Sequence, residues 1–204
     1  MQLILSIILL VIEVVALVQG LRNYSYLRTT PEKYLVYFMI LVVLVEIPAF
    51  VMTNYGINAS PLYNMYMLLS FAIFFVWFYH ILRHRYVVIG LGVVFMLGYI
   101  IAFITQDFYY SLLSYALATG TIAILILVFM LYLDMLKADY VIEYKDSRRF
   151  WIATGLLLFH IGFLPISFFQ GFVDVYGVEY NLVLTMLNLI VYGCIIKAFS
   201  CIKT

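Results

Sequence analysis

The sequence predicts an all-α protein, a polytopic bundle of seven transmembrane helices forming one membrane domain over residues 1–204. Three observations predict it. Hydrophobic residues make up 67% of the chain and charged residues 10%, with mean hydropathy +1.13, whereas soluble domains hold roughly 45–50% apolar and about 25% charged residues. Apolar runs long enough to cross a hydrocarbon layer of about 30 Å recur along the whole length. All 11 Lys and Arg residues fall on one side of the resulting serpentine.

The first span, 2–20, lacks a basic leader and a small-residue cleavage site, so it reads as a retained helix rather than a signal peptide. A connector carrying Arg22, Arg28 and Lys33 leads to the second span, 35–54. The turn residues Asn54 to Asn58, followed by Pro61, separate it from the third, 62–82. Arg83-His84-Arg85 precedes the fourth, 86–104, and Thr105-Gln106-Asp107 precedes the fifth, 108–136. The fifth run exceeds what a bilayer requires, so the expectation is that it tilts or projects into the cytoplasm. The sixth, 150–172, and the seventh, 179–200, flank a turn from Asp174 to Gly177. These runs are apolar all round rather than alternating, which selects helices over barrel strands as the way to satisfy every backbone group in lipid.

Charge sets the orientation. Lys137, Lys145, Arg148 and Arg149 lie in the fifth connector, and Lys197 and Lys203 at the C-terminal end, on the same side as the basic residues of the first and third connectors. Asp107, Asp174 and Glu179 lie opposite. Positive charge stays cytoplasmic, so the N-terminus is expected outside and the C-terminus inside, in a cytoplasmic (inner) membrane. Aromatic residues agree: Tyr24, Tyr26, Tyr34, Tyr86 and Trp151 fall at the inner boundary, and Tyr55, Tyr63, Tyr109, Tyr110, Tyr176 and Tyr180 at the outer, as headgroup-level belts. Cys194 and Cys201 lie two turns apart on one helix, too far for a disulfide, and read as free thiols.

Several function classes are excluded. No basic patch offers a phosphate footprint, so nucleic acid is not expected as a partner. His-Glu-x-x-His, Gly-x-Ser-x-Gly and phosphate-loop patterns are missing from the sequence, and no metal-ligand spacing occurs, so neither metal nor cofactor is expected. Lys197, about 25 Å along the last helix from Tyr180, falls at the inner interface and reads as a snorkelling lysine.

The candidate site comes from polar residues at membrane depth. A carboxylate near the bilayer centre costs a few kcal/mol, so it needs a partner or a purpose. Glu13 lies about 16 Å from Gln2, and Glu46 about 18 Å from Tyr34, both near the midplane; His160 falls at similar depth. The expectation is that these groups meet in a polar cavity open to the outside, the carboxyls protonated or paired with His160. On the last helix Asn181, Thr185, Asn188 and Tyr192 form a polar stripe. On the fifth, Ser111, Ser114, Ala118 and Thr121, with Gly120 beside them, form a face small enough for close helix packing.

Phe150-Trp151-Ile152, then Gly155 to Phe159, Gly162 and Pro165, form one recognisable run, and Leu187 to Gly193 followed by Ala198-Phe199 forms another. Val45-Glu46, Tyr63-Asn64 and Phe78-Tyr79 fit the same pattern. In these the chain resembles a family of small, uncharacterised multi-pass membrane proteins of Bacteroidota. The resemblance implies a seven-span inner-membrane protein and no particular activity, and it emphasises Glu46, Trp151, Asn188 and Tyr192. Three functional expectations follow. The first is a non-enzymatic sensor or accessory subunit acting through a partner, with the bilayer and a membrane protein, or a second copy of the chain, as its contacts. The fifth helix's small face and connector 137–149 are its expected contact surfaces. The second is a carrier of protons or a small solute. The third is a membrane-embedded enzyme acting on a lipid or quinone.

Overall fold

A computed structural model describes residues 2–137, 146–168 and 178–201. Among these residues the chain forms eight helices: α1 (Gln2–Arg22), α2 (Tyr24–Leu27), α3 (Lys33–Asn54), α4 (Ser60–Ile81), α5 (Arg85–Thr105), α6 (Ser114–Lys137), α7 (Arg148–Phe168) and α8 (Val178–Ser200). Seven are long and apolar enough to cross a membrane, the architecture of a multi-pass membrane protein. The exception is α2, a four-residue turn of helix within the first basic connector.

The long helices close into a ring. Each packs on the next along the chain, and α8 returns to pack on α1. Helix α4 also reaches across the ring to pack on α6. Its aromatic residues Phe71, Phe74, Trp77 and Phe78 are buried. Apolar composition alone would leave such helices without a preferred rotation; aromatic shape and small residues supply it. A side-chain carbon on Gly120 of α6 would come within 2.6 Å of the Phe71 ring, so only glycine lets these helices approach.

At one end of the ring the basic residues and the ends of several helices are tied together. The amide of Asn23 donates to Phe199 O at 3.0 Å, and Arg148 Nε donates to Cys201 O at 2.6 Å. Arg149 pairs with the buried Glu32 at 3.4 Å. Tyr34 stacks on His80 with ring centres 5.4 Å apart, and Arg85 sits over Tyr79. This is the basic end. Neither Cys194 nor Cys201 is in a disulfide among the described residues.

The structure corrects the fifth span. Helix does not start at 108; it starts at Ser114. Asp107 turns the chain, its Oδ1 accepting the N–H groups of Tyr109 at 2.9 Å and Tyr110 at 3.2 Å. The segment then tucks against α4, where the Asn64 amide donates to Phe108 O and Ser111 O, both at 2.9 Å, and its Oδ1 accepts Leu113 N–H at 3.0 Å. The remaining 24-residue helix is of a length that crosses a bilayer. Ser111 therefore leaves the small-residue face. Of the other residues of that face, Gly120 and Thr121 are buried inside the bundle, while Ser114 and Ala118 are half-buried. Among the other expectations, the end of the sixth span at 169–172 and most of connector 137–149 lie outside the described residues, as do Gly171, Asp174, Tyr176, Gly177, Lys145 and Lys203.

Candidate functional site

Glu13 projects from the middle of α1 into the ring and is 3% exposed. Its carboxyl faces that of Glu46, on α3, and the Tyr192 hydroxyl of α8 engages it. Glu46 is half-buried and accepts a hydrogen bond from the Tyr63 hydroxyl of α4 at 3.2 Å. One turn further along α4, Tyr66 faces both carboxyls and hydrogen bonds with Tyr192. Two carboxyls and three phenols from four helices thus form one cluster.

Each member arrives there by helical register. Tyr63 and Tyr66 lie three apart on α4 and share a face. Pro61 at the start of α4 occupies a position where its missing N–H costs no hydrogen bond. Pro48, two residues past Glu46, has no N–H for the Leu44 carbonyl, which loosens α3 beside the carboxyl. Depth follows from the rise per residue. Measured from the basic end, Tyr192 and Glu13 lie about 12–14 Å along their helices, Glu46 about 20 Å, and Tyr66 and Tyr63 about 22–27 Å. The cluster therefore slopes from mid-depth toward the opposite end.

Below it the interior turns apolar. Ala16, Val42, Trp77, Phe78, Ile195 and Phe199 are at most 1% exposed and belong to one continuous core between the cluster and the basic end. Within the cluster the electrostatics are one-sided. The side chains acting on the two carboxyls are each other and the tyrosines, with no Lys, Arg or His among them. One oxygen, Glu13 Oε2, is buried and has no hydrogen-bond partner.

Of the residues expected to form the site, the structure brings together Glu13, Glu46 and Tyr192. His160 stands apart on α7: its ring Nδ1 donates to Leu156 O of its own helix at 2.8 Å, and its neighbours include the rings of Phe71 and Phe159. Neither carboxyl is among the groups acting on it. Thr185 Oγ1 donates to Asn181 O at 2.6 Å, and Asn188 Nδ2 to Leu184 O at 2.9 Å, so both bond within α8. Tyr63 and Tyr66 join unannounced. Tyr63 reads from sequence as a belt residue, and only its spacing of three from Tyr66, on a helix beside two buried carboxylates, could have suggested otherwise. Among the described residues no group of three or more His, Cys, Asp and Glu side chains comes together as a metal centre would require. An open apolar groove on α4 and α5, lined by Phe75, Ile89, Gly92 and Val93, presents no polar atoms and is a lipid-facing notch.

Comparison with protein-family models, with curated proteins and with solved structures finds no match.

Proposed function

We propose that this chain is a non-enzymatic seven-helix sensor or accessory subunit of the cytoplasmic membrane. Its basic end faces the cytoplasm, as positive charge requires, and its input site is the Glu13–Glu46 cluster. The observation that carries this reading is the one-sidedness of the cluster. It slopes toward the outer end and rests on a sealed apolar floor. Polar groups that stop at mid-depth suit detection of something arriving from outside better than passage across the bundle. Because the cluster joins α1, α3, α4 and α8, a change in its charge alters the packing of four helices at once, which is how a local event becomes a change of bundle shape.

Output then requires a second protein, and its contact lies on the lipid-facing exterior or the basic end. Purification from native membranes is expected to yield a stoichiometric associated chain whose binding changes in Glu46→Gln. The rival is a carrier coupled to protons. Proteoliposomes holding the purified chain are expected to keep an imposed pH gradient. Dissipation of that gradient, abolished by Glu46→Gln, would replace the sensor with the carrier.

A further inference from the structure

The charge of the cluster has nothing fixed to balance it. Two carboxyls face each other in the interior of a membrane bundle, and the groups acting on them are tyrosines and each other. The basic side chains Arg148 and Arg149 are bonded at the far end of the bundle, to Cys201 O and Glu32. His160 turns to its own helix. Neutrality has to come from something mobile. One proton removes one of the two charges and a second removes the other, so a cation has to compete with protons for the pair; water removes neither charge.

The donor chemistry is uniform: carboxylate and phenol oxygens, with no sulfur or imidazole. Such hard oxygens suit alkali and alkaline-earth cations rather than zinc or copper. Two carboxyls in place of the richer acidic sets of divalent sites favour a single positive charge. A separate observation points to a ligand as well. The Glu13 side chain, 3% exposed, faces the Glu46 carboxyl, and its Oε2 accepts no hydrogen bond. A buried carboxylate oxygen without a partner is costly, and a coordinated cation would remove that cost.

We infer that Glu13 Oε2, the Glu46 carboxylate and the hydroxyls of Tyr63, Tyr66 and Tyr192 form a binding site for a monovalent alkali cation entering from the end opposite the basic one. One cation and one shared proton bring the pair to neutrality. Half-buried Glu46, with Tyr63 above it, is the entrance, and Glu13 is the innermost ligand. The inference rests on the sensor reading and names its input: the cation, in competition with protons, sets the charge state that the four helices feel.

The test uses the purified full chain in detergent or nanodiscs, without any partner, so that it separates from the co-purification experiment. Radiolabelled Na+ binding is measured directly, and the thermal midpoint is followed while NaCl or KCl replaces choline chloride at constant ionic strength and pH 8. Saturable binding near one ion per chain, with a midpoint that rises in Na+ or K+ but not in choline, is the expected result. Glu13→Gln and Glu46→Gln are expected to weaken the apparent affinity more than about tenfold, and Tyr192→Phe to weaken it less. Thr185→Ala, which bonds only within its helix, should bind as the parent does. No saturable binding by the unmodified chain overturns the site whatever the variants do. So does an equal response in choline, binding that survives in both Gln variants, or a midpoint that responds to pH alone. A failed result here leaves the partner reading standing, and absence of a partner leaves the cation site standing.

Discussion

Asn64 shows how much one buried amide can hold. It is fully buried, its two N–H groups reach Phe108 O and Ser111 O, its oxygen takes Leu113 N–H, and its own backbone carbonyl accepts the Tyr99 hydroxyl at 3.3 Å. Removing the amide leaves the buried Leu113 N–H and two part-buried carbonyls without these partners. Each such loss costs roughly 1–3 kcal/mol, so Asn64→Ala should lower stability by about 2–4 kcal/mol after partial hydration of the loop. Thr185→Ala and Asn188→Ala should cost under about 1 kcal/mol, since the carbonyls they contact keep their helical bonds. Thermal unfolding in one detergent, followed by circular dichroism, compares the three; equal losses would show that Asn64 does not hold the loop. The contrast also explains what was legible at this scale. Glu13 and Glu46 stand out in a sequence because a carboxylate in hydrocarbon is expensive wherever it points. An amide or phenol near a helix end passes for a turn or belt residue, and only the direction of the side chain separates Asn64 and Tyr63 from Tyr55, which is fully turned outward.

Helix positions follow from hydropathy, and helix rotations do not. Observed ends differ from the expected ones by a residue or two nearly everywhere, because charges and turn residues mark where the apolar runs stop. The exception is the start of α6. Residues 108–113 read Phe-Tyr-Tyr-Ser-Leu-Leu and are as apolar as the helix that follows, so no composition change marks the boundary. The informative residue is Asp107, whose side chain caps the turn. Rotation of α6 is fixed instead by Gly120 against Phe71, a ring that also packs on Phe95 at 4.9 Å and so has little room to yield. Gly120→Val is expected to cost about 1–3 kcal/mol by overpacking. Adding Phe71→Leu should recover part of that loss, giving a coupling energy of the same order in a double-mutant cycle. Strict additivity of the two substitutions would show that the ring and the glycine are not in the contact described.

At the scale of the whole molecule, the packing of each helix on the next follows from short connectors, since helices joined by a few residues become antiparallel neighbours. What the sequence does not carry is the closure of α8 onto α1, which depends on Gly20 meeting the Phe199 ring, the Gln19 amide meeting Ser200, and Asn23 reaching Phe199 O. Nor does it carry the separation of His160 from the carboxyls, because residues at equal depth on a ring can face different neighbours. Closure does make orientation testable at single residues. Tyr109 and Tyr86 are both exposed, 68% and 71%, and sit at opposite ends of α5 and its flanking turn. In a background carrying Cys194→Ser and Cys201→Ser, Tyr109→Cys is expected to react with a membrane-impermeant maleimide added to intact cells. Tyr86→Cys should react only after the membrane is opened. The same asymmetry decides which way the cluster faces: Tyr63 starts α4 at the Tyr109 end, where Asn58 donates to Tyr109 O at 2.9 Å. Labelling of Tyr86→Cys from outside would invert the bundle, put the entrance to Glu46 in the cytoplasm, and turn an external cation sensor into an internal one.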